Sequence, residues 1–195
     1  MAEKERGERE KEHRRTEIET HDLKFEALEV GDGDDYALLF HGFPDDPRSF
    51  LPLMERLAEE GYTAVAPYMR GYGGTDRPPL TPSNYSVTKL GSDVLAVSSA
   101  LGADDPLILG HDWGATAVTA VSRLDPTSAS NCVTMSVPPD ILSAFDEHPS
   151  QTLRSWYMAL FQIPGVSEEV LRRDDFAMVE RLYRMWSPGW TDGRV

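Results

Sequence analysis

Asp112 sits at the centre of the run Leu107-Ile-Leu-Gly-His-Asp-Trp-Gly-Ala115. An apolar stretch, then Gly110-x-Asp112-x-Gly114, then an immediate helical pattern describes a strand turning sharply into a helix, the layout of a nucleophile elbow. Small residues flank the central one because side chains at Gly110 or Gly114 would collide in so tight a turn. The turn carries its central side chain to the carboxyl end of a sheet, beside a helix N-terminus that favours negative charge. A carboxylate there can attack an electrophilic carbon without first losing a proton, since its ordinary pKa is about 4. The plainer alternative is a β-turn-α connection in which Asp112 caps the helix.

A second segment, His41-Gly42-Phe43-Pro44, follows another short apolar run. Gly42 permits close backbone approach and Pro44 stiffens the loop, which leaves the Phe43 N–H to point inward. In an elbow architecture this loop supplies one of the oxyanion-hole amides. His41 and His111 read as hydrogen-bonding scaffold beside these turns. No third ligand accompanies them, so no metal site is expected, and no cofactor.

Elements must bring these two loops together. Residues 36–40, 62–67, 107–109 and 132–136 are compact apolar runs bounded by turn residues, as expected of strands buried on both faces. Helical patterns over 50–60, 86–101 and 113–124 separate them, the first two stopped by Gly61 and Gly102. Strands alternating with helices predict an α/β fold with a mainly parallel sheet. Two further short strands, around Ile18 and over 25–30, precede this pattern and bring the expected total to six. From Pro138 onward no strand pattern recurs, and helices are expected over 151–162 and 167–185. The expected organisation is a charged, disordered tail over 1–15, a core over 16–139 and an incomplete helical cap over 140–195.

The 195 residues carry 19 Lys+Arg against 33 Asp+Glu, a formal net charge of −14. The tail holds six basic and five acidic side chains, so the excess acid lies in the rest of the chain, where Lys24 and Lys89 are the only lysines. Such a body repels phosphate backbones, which argues against nucleic acid, and its hydrated carboxylates suit high salt. No apolar run is long enough to span a bilayer and the N-terminus has no apolar signal core, so the expectation is a cytoplasmic protein without membrane partners. The single cysteine, Cys132, excludes an intramolecular disulfide and is expected as a small buried hydrophobe.

His41–Pro44, Arg70-Gly-Tyr-Gly-Gly-Thr-Asp76, Gly110–Ala115 and Trp156-Tyr-Met-Ala-Leu-Phe-Gln-Ile-Pro-Gly165 together resemble the epoxide hydrolases of the α/β-hydrolase superfamily. The resemblance implies an α/β-hydrolase fold with about six of its eight strands present. It also implies Asp112 as nucleophile, the Phe43 and Trp113 amides as oxyanion hole and Tyr157 as the acid that protonates the epoxide oxygen. The substrate class would be a small apolar epoxide. In that family a histidine base and its acid partner lie after late strands, and none of His13, His21, His41, His111 or His148 occupies such a place. The chain alone is therefore expected to bind without turnover or to alkylate once and stall, with the unfinished sheet open to self-association or to a completing chain. Haloalkane dehalogenases share the Asp-Trp elbow but usually carry a polar residue where Phe43 stands, and Tyr157 would then have no role. A non-catalytic, truncated binding module is the remaining alternative.

Overall fold

The computed structural model of the chain describes residues 13–128, 131–187 and 189. Six strands form one sheet in the order β1-β2-β4-β3-β5-β6, comprising β1 (Arg14–Glu19), β2 (Lys24–Val30), β3 (Asp35–Phe40), β4 (Tyr62–Pro67), β5 (Leu107–His111) and β6 (Asn131–Met135). β1 with β2 and β2 with β4 are antiparallel; β3 pairs in parallel with β4 and β5, and β5 with β6. The α/β class and mainly parallel sheet read from the alternating pattern are those of the molecule.

Alternation along β3 explains the two cores. Leu38 and Phe40 face one side, with Val94, Val97, Val118 and Val121 from α2 (Val87–Leu101) and α3 (Trp113–Leu124). Ala37 and Leu39 face the other, with Phe50 and with Met54 of α1 (Leu51–Glu59). A strand buried on both faces must be apolar at every position, which is why β3 reads as a continuous run instead of alternating. The helix ends follow the sequence signals. The Ser86 hydroxyl accepts from the Lys89 N–H, and Gly102 closes α2 in the left-handed region at φ 64°.

Three expectations are corrected. Strand structure begins at Arg14, within the segment assigned to a tail, because Arg14 pairs with Glu29 and Arg15 with Glu26 across the β1–β2 ladder, each at 2.5 Å. Residues 1–12 lie outside the described residues. Cys132 is exposed. It lies on β6, which among the described strands pairs only with β5 and most of whose residues, Val133 and Met135 among them, are exposed. The two long helices expected after Pro138 are each split. α5 (Pro149–Arg154) and α6 (Trp156–Phe161) meet at Ser155, whose hydroxyl accepts from the Gln151 side chain. α7 (Val166–Arg172) and α8 (Ala177–Trp186) are separated by Asp174, Asp175 and Phe176, all at positive φ, where aspartates are the more tolerant residues. A further helix, α4 (Ile141–Glu147), precedes them.

The chain divides into two compact units, residues 1–139 and 140–195. The first holds the whole sheet with α1 to α3, the second α4 to α8.

Candidate active site

β5 ends at His111, and α3 begins at Trp113. The single residue between them, Asp112, sits at φ 53°, ψ −115°. A non-glycine residue there stores about 1–3 kcal/mol of strain, held only where surrounding structure over-determines it. Here the surroundings do so. The Asp112 N–H donates to the Met135 carbonyl at the end of β6 (3.2 Å), and its carbonyl accepts from Thr116 in the first turn of α3 (3.2 Å). A Cβ on Gly114 would come within 1.9 Å of the Phe40 carbonyl oxygen, so the start of α3 lies against the end of β3 in a way only glycine allows.

The same close packing brings the second loop to the first. A Cβ on Gly42 would lie 2.4 Å from both Cβ and Oδ1 of Asp112. The Phe43 N–H donates to Asp112 Oδ1 at 3.0 Å, although 69 residues separate the two in sequence. Asp112, Phe43 and Gly42 are thus brought together, with the Phe43–Pro44 peptide cis. Gly110 lies in β5 opposite Phe40, half-buried His111 opposite Met135, and Trp113 supplies the first residue of α3 with its side chain 40% exposed. The carboxylate has one oxygen engaged by a backbone donor and sits at the N-terminus of a helix.

His41 is fully buried. Its Nδ1 is 2.9 Å from the Gly42 carbonyl oxygen, and its Nε2 accepts from the Met69 N–H at 3.0 Å. Tyr72 packs edge-on against the imidazole, with ring centroids 4.8 Å apart. Burial holds the His41 pKa below its ordinary value, against the opposing pull of the Gly42 carbonyl and the Asp46 and Asp45 charges. Since the unfolded chain takes up a proton at its unperturbed pKa and folded His41 does so only at lower pH, stability contributed by the neutral ring is present above about pH 6.5 and is lost as pH falls below it. Urea unfolding of wild type and His41→Asn between pH 7.5 and 5 should show a steeper acid loss in wild type.

Tyr72 had been legible only as part of the Arg70–Asp76 segment. Its phenol is pushed up to about 12, first by burial and then by the charge of Asp112, so it is a neutral group within electrostatic reach of that carboxylate. The loop that carries it is pinned by Arg70, whose guanidinium bonds Asp93 of α2 at 2.6 and 2.5 Å. Neither contact is announced by local sequence.

Tyr157 lies in α6, in the second unit. Its ring packs against Phe161 (5.7 Å) and Trp186 (5.1 Å) within that unit. Among the described residues no cluster of three His, Cys, Asp or Glu side chains could hold a metal ion, and no helix is long and apolar enough to cross a membrane.

The sequence model of the alpha/beta hydrolase fold matches residues 38–184. The chain is an α/β-hydrolase. Within that family it is epoxide hydrolase-like. It is 30% identical over 172 residues to epoxide hydrolase A of Mycobacterium tuberculosis, covering 85% of this chain and 52% of that protein. It is 31% identical over 170 residues to human epoxide hydrolase 4, covering 86% and 46%. The crystal structure of epoxide hydrolase A from Mycobacterium thermoresistibile superposes with a TM-score of 0.74 at 29% identity, covering 94% of this chain and 58% of that one. This α/β-hydrolase chain spans about half the length of the curated relatives it matches.

Proposed function

We propose that these 195 residues carry the alkylation half of an epoxide hydrolase reaction, with Asp112 as nucleophile. The observation that carries this reading is the strained Asp112 at the strand-helix turn with the Phe43 N–H on its Oδ1. Oδ1 is engaged, so Oδ2 is the atom that attacks. Oδ2 forms a bond to an epoxide carbon, and the ring C–O bond breaks with its electron pair on oxygen. That oxygen takes the phenolic proton of Tyr157, and water reprotonates the tyrosinate. The product is an ester on Asp112, with Oδ1 as its carbonyl oxygen facing the Phe43 amide. A hydrogen bond from Tyr157 to the developing alkoxide in a dry site contributes about 2 kcal/mol, so Tyr157→Phe should slow alkylation by roughly 30-fold.

Cleavage of the ester requires a base to activate water, oriented by a further group. His41 is buried with both ring nitrogens engaged and His21 is fully exposed, and neither is assigned that work. Mixed with excess styrene oxide, the 195-residue chain should gain the mass of one epoxide per molecule and release no diol. Steady diol release by the purified chain would contradict this half of the reading. The substrate class, an epoxide, is taken from the named activity of the relatives. The same proposal places the protein in the cytoplasm and a completing chain along β6, the second resting on the exposure of Cys132, Val133 and Met135.

A further inference from the structure

Resting on the reading of Asp112 as nucleophile, we propose that His41 is a positioning residue: as the neutral Nδ1–H tautomer it fixes the Gly42–Phe43 peptide so that its N–H stays aimed at Asp112. Both ends of that one peptide unit are in use. Its carbonyl accepts from His41 Nδ1 at 2.9 Å, and its N–H donates to Asp112 Oδ1 at 3.0 Å. A peptide is planar, so holding the carbonyl sets the direction of the N–H.

The ring has only one protonation state that satisfies its neighbours. The Met69 backbone N–H can only donate, so Nε2 must present its lone pair. The Gly42 carbonyl can only accept, so the remaining proton belongs on Nδ1. An Nε2–H tautomer would set donor against donor at Met69 and lone pair against lone pair at Gly42. Imidazolium would keep the Gly42 bond and lose the Met69 acceptor. Around the ring stand Tyr72 and Tyr68, edge-on at 4.8 and 6.4 Å, while the charges of Asp46 and Asp45 favour protonation and burial outweighs them. Met69 lies just beyond β4, so the imidazole also ties the loop after β3 to the segment that leads to Tyr72.

Long-range nitrogen-proton NMR on the wild-type chain at neutral pH should show His41 with Nδ1 protonated and Nε2 bare; an Nε2–H ring or an imidazolium overturns the proposal. Two variants extend the test, since asparagine keeps a donor for the Gly42 carbonyl and leucine does not. His41→Leu should move the Phe43 amide proton resonance and slow adduct formation with styrene oxide by roughly 10–100-fold, because Asp112 is no longer held in one orientation for attack. His41→Asn should retain most of the wild-type rate. Equal rates in the two variants, or a Phe43 amide unmoved by His41→Leu, overturns the proposal. Should neither variant fold, the wild-type tautomer decides alone. A wild-type chain that shows the expected tautomer yet forms no adduct on Asp112 refutes the nucleophile reading instead.

Discussion

Replacing Arg70 with methionine is expected to destabilise the sheet-bearing unit by about 3–5 kcal/mol, a large share of the stability of a small domain. Arg70 and Asp93 have side chains only 4% and 11% exposed. The guanidinium grips both carboxylate oxygens and also donates to the Asn84 carbonyl. Burial already pushes the Asp93 carboxyl up, and Arg70 opposes that push. With Arg70 gone the opposition disappears, leaving a buried acid that is either charged and unpaired or protonated. The destabilisation should therefore grow as pH rises above the carboxylate range, because proton uptake by Asp93 becomes dearer with each unit. Asp93→Leu added to Arg70→Met removes the stranded charge and should recover most of the loss. Urea unfolding of wild type, both single variants and the double variant at pH 5.5 and 8 gives the coupling directly. Equal destabilisation by the single and double variants would contradict the account. The pair also matters to the site, since it anchors the loop on which Tyr72 packs against His41.

The second large effect concerns Asp112 itself. Asn in its place keeps an oxygen to accept from the Phe43 N–H and tolerates positive φ, so Asp112→Asn should fold as wild type does. Its side chain, however, has lost the second anionic oxygen. An amide is a poor nucleophile at neutral pH, so alkylation should fall below detection while the unfolding transition stays within about 1 kcal/mol of wild type.

What the sequence could disclose followed from how local each feature is. The six strands and three core helices carry periodicity and stop signals within a few residues, and they stand where those signals put them. The tight strand-to-helix turn at Asp112 was legible because the glycine spacing around it records a steric demand. That the loops of Phe43 and Asp112, 69 residues apart, come together was readable because both lie at strand ends of one sheet, whereas the Phe43 N–H donation to Asp112 Oδ1 was not. The Met69 to His41 and Arg70 to Asp93 bonds had no such signal: each depends on where the segment after β4 runs once the sheet has formed. Cys132 misled because apolar character indicates a strand without saying whether anything covers it. The break between α7 and α8 was hidden by helical spacing on both sides of Asp174 and Asp175, residues that tolerate positive φ without requiring it.

The most direct measurement is to locate the adduct. The wild-type chain and Asp112→Asn are incubated with styrene oxide, digested, and mapped by tandem mass spectrometry. A single epoxide-derived ester on Asp112, absent from the asparagine variant, is the predicted result. An unmodified Asp112 in folded wild-type protein, or adducts of equal yield in both proteins, would contradict the account.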